Sequence, residues 1–303
     1  MSNLQFLNNL SFKYDYLLPF LAKLPQTLAY RLVSLYGKVE SAEKQLEREQ
    51  VLQQMQQVFT DRSEAELKQW VDYFMSMQAR EMLDTEFFQG LHDDKKIDAF
   101  VRFHQHEALL EARKQGRAVL ITTGHIGRYW MVGVGLDRYG ISMGTITRDG
   151  GEENTHNLPE KEFQYRKKKL KALRDRMKGP FLVEGDSVRP IYRALENSVM
   201  TLLIDVPHVE PQNGSIELPF LGRTARFPVG IAKIARKTNA LIFPYYVAES
   251  RHGLDLTFYP ALEATELTDA EIMQHLVSLL EQQIMAHPEQ WWLWPALPII
   301  WQS

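Results

Sequence analysis

The chain has 303 residues, 45% hydrophobic and 24% charged, a balance that supports a packed core and excludes extended disorder. A net charge of −3 gives no whole-protein argument for nucleic acid. The absence of cysteine excludes disulfides, thiolate metal sites and a cysteine nucleophile.

In chain order, the N-terminus lacks a basic region followed by a continuous apolar core, so no secretory signal is expected. Residues 16–36 are apolar but interrupted by Lys23, Gln26, Arg31 and two prolines. A spanning helix needs about 20 mostly apolar residues. This segment therefore reads as amphipathic, packing on the domain or resting on a membrane surface. Residues 1–115 read as a helical arm, rich in Leu, Gln, Glu, Lys and Met, with apolar residues at three- and four-residue spacing. A helix start with acids in its first turn lies at 61–66.

From residue 116 the texture changes, and 116–303 read as an α/β core that forms one continuous domain with the arm. Candidate strands span 118–123, 142–147, 181–184, 199–205, 240–247 and 254–259. Candidate helices span 126–139, 161–178, 188–196, 229–237 and 269–286. The alternation predicts a mostly parallel central sheet flanked by helices.

The first strand runs into Gly124-His125-Ile126-Gly127-Arg128-Tyr129-Trp130. A histidine at a strand's C-terminal end sits where open α/β sheets place their chemistry. An imidazole titrates near 6.5 when unperturbed, which suits general-base work. The flanking glycines let the chain turn tightly.

Taken together, the features from Tyr16 to Trp294 resemble the lipid A biosynthesis (lauroyl/myristoyl) acyltransferases of the lysophospholipid acyltransferase-like superfamily. The family's arm carries a stretch similar to Leu28-Ala-Tyr-Arg31, and its signature Gly-His-aromatic-Gly-Asn-Trp-Glu is similar to residues 124–130. Its later features resemble Arg148, Asp205 in Leu203-Ile-Asp205-Val-Pro207, Pro219-Phe-Leu-Gly222, Ala225, Gly230 and Pro288-Glu-Gln-Trp291.

The resemblance implies transfer of an acyl chain from an acyl carrier protein or acyl-CoA thioester to a hydroxyl or amine of a lipid, glycolipid or specialised metabolite. His125 would be the general base. The thioester is a co-substrate, and no cofactor or metal is implied. Gly124, Gly127, Arg128 and Trp130 become candidate substrate contacts, as do Arg148, Arg189 and Arg226. The expected location is cytoplasmic, peripheral on the cytoplasmic face of the inner membrane.

Two features depart from the family pattern. The motif's acid, which orients the imidazole, is replaced by Trp130, whose indole donates a hydrogen bond and accepts none. No Asp or Glu lies between Glu111 and Asp137, so a substitute must come from elsewhere. Strand ends converge at one edge of a parallel sheet, which makes Glu184 and Asp186 candidates, with Asp205 another. Glu184 and Asp186 also read as a turn and helix cap. The alternative is a catalytically impaired relative that binds a lipid, an acyl carrier or a partner.

The second departure is the tail. The lipid A branch continues with His-Arg-Arg-Phe, whereas this chain carries four of its six tryptophans after residue 290 and no charge after Glu289. The tail reads as a cover for the core or as an interfacial anchor. Residues 161–178 hold nine basic and two acidic side chains. Arg166, Lys167, Lys168 and Lys169 are the candidate surface for an acidic carrier or anionic headgroups, or else a solvated helix face.

His104 and His106 point to different sides of a helix, which argues against a metal site. Gly133-Val-Gly135 lacks the third glycine of a dinucleotide fingerprint. No serine sits in a nucleophile elbow, and no nucleic-acid module is present.

Overall fold

A computed structural model describes residues 9–88, 100–147, 153–154, 157–183, 189–207, 214–250 and 253–302. The arm is helical as the spacing predicts. A π-helical turn at Phe12–Leu17 leads to helices Leu18–Leu21, Gln26–Glu43, Gln45–Val58 and Glu64–Phe88. The last begins at Ser63, whose hydroxyl accepts the Glu66 N–H while Glu66 accepts the Ser63 N–H, a capping box.

Ten strands follow among the described residues: β1 (Val101–His104), β2 (Val119–Thr123), β3 (Met143–Thr147), β4 (Lys178–Val183), β5 (Val199–Leu203), β6 (Ser215–Phe220), β7 (Arg223–Pro228), β8 (Leu241–Ser250), β9 (Gly253–Phe258) and β10 (Leu262–Glu263). The main sheet runs β1-β9-β8-β2-β5-β3-β4, with β10 beside β8. Its pairs are parallel except β8 with β9 and β8 with β10. This is the mostly parallel α/β sheet that the sequence predicts.

Three strand features lie outside the sequence reading. β1 falls inside the stretch read as helical and pairs with β9. It is only four residues long, too short to show a period. β10 is shorter still. β6 and β7 form a separate antiparallel hairpin. Its two-residue turn, Leu221-Gly222, has positive φ at both positions, the type I′ geometry that matches strand twist.

β2 lies at the centre and is buried throughout. Leu120 packs into one apolar layer with Ile242, Tyr246, Ile272, Leu276 and Trp291. Val119 and Ile121 pack into the other with Phe243, Val132, Leu173 and Met177. Alternate residues of one strand thus feed two layers, which is why β2 reads as an unbroken apolar run.

From β2 the chain goes to β3 and β4, returns to β5 beside β2, and only later fills the other side with β8. The strand order therefore reverses around β2, the place where open α/β sheets generally form their ligand crevice, outside the strands' C-terminal ends.

The helix expected over 126–139 is shorter, Met131–Asp137. The turn ahead of it runs through residue 130. The tail covers the core: Trp291 and Trp294 are fully buried, and Trp292 and Trp301 pack against the same layer. The indole N–H groups of Trp294 and Trp301 donate to the carbonyls of Pro288 and Phe220.

Candidate active site

The register of β2 and β5 decides which acid meets His125. Leu120 faces Met200 and Thr123 faces Leu203, an offset of 80 residues. Carried two residues past both strands, the same offset sets position 125 opposite 205. The imidazole Nδ1 of His125 lies 2.7 Å from Asp205 Oδ1, and the His125 backbone N–H donates to Asp205 Oδ2 at 2.8 Å. With Nδ1 committed to the carboxylate, Nε2 is the ring nitrogen left to exchange a proton with a substrate.

The Asp205 side chain is fully buried while that of His125 is 21% exposed. Burial works against the carboxylate's charge. The facing imidazole and the hydrogen bonds from His125 and Trp291 nevertheless hold Asp205 below the usual carboxylate range.

Both glycines of the turn are required by close approach. A Cβ at Gly124 would lie 2.7 Å from Asp205 Oδ2, against the carboxylate itself. Gly127 has φ +59°, and a Cβ there would lie 2.0 Å from the carbonyl oxygen of Val247. Its N–H donates instead to the Gln290 carbonyl at 2.8 Å. Tyr129 sets its ring edge-on to the imidazole at 5.4 Å, and Trp130 lies beside Tyr129 at 5.0 Å. Trp130, at the motif's acid position, is half-buried where the helix Met131–Asp137 begins, among the second layer's side chains.

Arg128 points away from the crevice. Only 2% exposed, it pairs with Asp84 at 2.6 Å and Glu249 at 2.9 Å, and its guanidinium packs against the rings of Tyr30 and Phe100. Glu249 is also held by Arg80 at 2.7 Å. Burial pushes the Asp84 carboxyl up to about 7 against the pull of Arg128. At Glu249 burial acts in the same sense, but Arg128 and Arg80 together bring the carboxyl below its ordinary value. The turn is thereby tied to both long arm helices and to β8, and Arg128 holds the loop rather than lining the crevice.

The other candidates are dispersed. Arg226 pairs across the β6–β7 hairpin with Glu217 at 2.6 Å. Arg189 is exposed at the start of the helix Arg189–Asn197. Arg148, Glu184 and Asp186 lie outside the described residues. β4, which precedes the last two, ends at the sheet's edge three strands from β2, on the order of 14 Å away at ordinary strand spacing.

On the basic helix Glu160–Met177, Lys168 and Lys169 pair with Glu86 and Glu81 of the arm, so these two brace the fold. Arg166 and Lys167 are half-buried on the same helix. His104 is paired with Asp255 at 2.9 Å, and His106 packs against Phe103 and Tyr139.

Sequence reasoning did not assign roles to Asp84, Arg80 or Glu249. They are single charges on a helix or strand and carry no motif. Trp291 did stand in a recognisable Pro-Glu-Gln-Trp block, but nothing in that block says where its indole points.

Residues 9–296 match the family described as bacterial lipid A biosynthesis acyltransferase. Among curated proteins, the chain is similar to a phosphatidylinositol mannoside acyltransferase of Mycobacterium tuberculosis, 27% identical over 179 residues that cover 58% of this chain and 53% of that protein. It is also similar to one of Mycolicibacterium smegmatis, 24% identical over 186 residues, 60% of this chain and 57% of that protein. The chain thus spans little more than half the length of the curated relatives it matches. A match over nearly its whole length establishes that the chain belongs to the bacterial lipid A biosynthesis acyltransferase family.

Proposed function

We propose that the protein is an acyltransferase that moves an acyl chain from an acyl carrier protein or CoA thioester to a hydroxyl or amine of a lipid, glycolipid or specialised metabolite. The observation that carries this reading is the 2.7 Å contact between His125 Nδ1 and the buried Asp205, at the crevice of a chain of this family. Asp205 supplies the carboxylate that Trp130 cannot.

In the proposed step, His125 Nε2 takes the acceptor's proton as the acceptor oxygen or nitrogen bonds to the thioester carbonyl carbon. The carbon–sulfur bond then breaks, and the leaving thiolate recovers the proton from Nε2. Asp205 keeps the imidazole in the tautomer with its proton on Nδ1 and stabilises the transient imidazolium. The similarity to phosphatidylinositol mannoside acyltransferases favours an acceptor with a polyol headgroup.

Contact with a membrane surface fits the arm. Leu28, Leu32, Leu35 and Val39 repeat at three- and four-residue spacing and are exposed on the helix Gln26–Glu43, and Tyr16 and Phe20 are exposed nearby. No helix among the described residues is long and apolar enough to cross a membrane. We place the protein on the cytoplasmic face of the inner membrane, with Arg166 and Lys167 toward the acyl carrier.

The test is transfer of a radiolabelled acyl chain from acyl carrier protein or CoA to phosphatidylinositol mannoside or lipid A precursors. Native protein is expected to form labelled lipid, and His125→Ala to abolish it. Full transfer by His125→Ala overturns the reading. No transfer by the native protein from either donor favours the binding-protein alternative.

A further inference from the structure

The hydrogen bonding around Asp205 is not exhausted by His125. Its Oδ2 receives a second donor, the indole Nε1–H of Trp291, at 2.9 Å. Trp291 is fully buried, with its ring set edge-on to Trp294 at 5.0 Å and to Phe220 at 5.8 Å, so the indole is fixed in place.

Its backbone is fixed as well. Residues 290–292 run antiparallel to the catalytic turn, with a bridge between Ile126 and Trp291. The Gly127 N–H donates to the Gln290 carbonyl, and the Trp292 N–H to the His125 carbonyl, both at 2.8 Å. The Trp292 indole donates to the Gly127 carbonyl at 2.7 Å. The Gln290 side chain bonds the backbone N–H and C=O of Glu249 on β8. The tail is thus built onto the turn from the side opposite β5.

We infer that Trp291 is a positioning residue of the catalytic pair: its indole N–H holds Asp205 Oδ2, stabilises the buried carboxylate and keeps Oδ1 aimed at His125 Nδ1. This rests on the reading of His125 and Asp205 as that pair.

The consequence has a definite sign. Losing a donor destabilises the Asp205 anion most when the imidazole is neutral, because a protonated imidazole compensates the charge. Protonation of the pair then becomes easier, and its titration midpoint rises.

Trp291→Phe keeps an aromatic ring but deletes the donor together with the pyrrole half of the indole, a truncation that the control must share. Trp294→Phe is the control, since that indole bonds only the Pro288 carbonyl in the same cluster. The measurements are kcat/KM for acyl transfer against pH, and the imidazole titration of His125 by NMR in the substrate-free protein. Trp291→Phe is expected to lower kcat/KM by about tenfold to a hundredfold, the range for a hydrogen bond to a charged group. It is also expected to move both the acid limb and the NMR midpoint upward by about one pH unit. Trp294→Phe is expected to lower the melting temperature and leave both midpoints in place.

A uniform loss of rate with unmoved midpoints in Trp291→Phe overturns the inference. If the native protein transfers no acyl chain, the functional reading fails, while the NMR midpoint still decides the role of Trp291. If Trp291→Phe does not fold, the indole N–H resonance of Trp291 in native protein decides it. That resonance must move with the His125 titration, and one that stays fixed overturns the inference.

Discussion

At the scale of residues, a buried aspartate lies where the family's motif would bring an acid from five residues after the histidine: beside the imidazole, 2.7 Å from His125 Nδ1. Asp205 is held in its charged form by three donors. Its carboxyl lies below the unfolded value of about 3.9, so the stabilisation it contributes is present above pH 4 and is lost as pH falls through the folded value. Urea unfolding of native protein and Asp205→Asn should therefore differ by about 1–3 kcal/mol at pH 6, with the gap closing below pH 4. A gap unchanged from pH 6 to pH 3 contradicts a charged Asp205. His125 was legible because two glycines and a buried strand bracket it. Asp205 was one of three candidate acids, and the choice among them lies in strand order and register, which no local pattern encodes.

At the scale of elements, the turn at 124–130 is anchored through Arg128 to three elements. Arg128 ties it to the helices Gln26–Glu43 and Glu64–Phe88 and to β8 through Tyr30, Asp84 and Glu249. Breaking a buried ion pair by removing one partner costs about 3–5 kcal/mol. Arg128→Met should approach that loss at pH 8, read from denaturant midpoints. Asp84 then has no guanidinium beside it, so its folded value rises further above the unfolded one. The folded state binds more protons than the unfolded state across that window, and stability falls as pH rises. The variant should accordingly recover part of its loss between pH 8 and pH 5, and equal losses at both pH values contradict the network.

Element boundaries were readable where the period was long. The helix Asp269–Ala286 matches its expected range. The helix expected from residue 126 starts at Met131, because Gly127 turns left-handed to give its N–H to Gln290. β1 escaped because four residues show no period; in β6, Ile216, Leu218 and Phe220 do alternate with Ser215, Glu217 and Pro219, but a proline inside the run reads against a strand.

At the scale of the whole molecule, one edge of a mostly parallel sheet carries the His125–Asp205 pair, the Trp-rich tail closes over the core beside it, and the arm turns an apolar stripe outward. The tail lacks the basic patch of the lipid A branch but is no loose anchor, since all four of its indoles are hydrogen-bonded. That fate was not readable from its composition, because tryptophans serve burial and interfaces equally well.

The central claim is that Asp205, not the position held by Trp130, completes the base. It is tested by the turnover of a radiolabelled acyl thioester onto acceptor lipid in vesicles, comparing native protein, Trp130→Phe and Asp205→Asn. The account predicts that Asp205→Asn lowers kcat by about 10⁴, the cost of the corresponding change in a serine-protease triad, while Trp130→Phe stays within about tenfold of native. Near-native turnover by Asp205→Asn would contradict it.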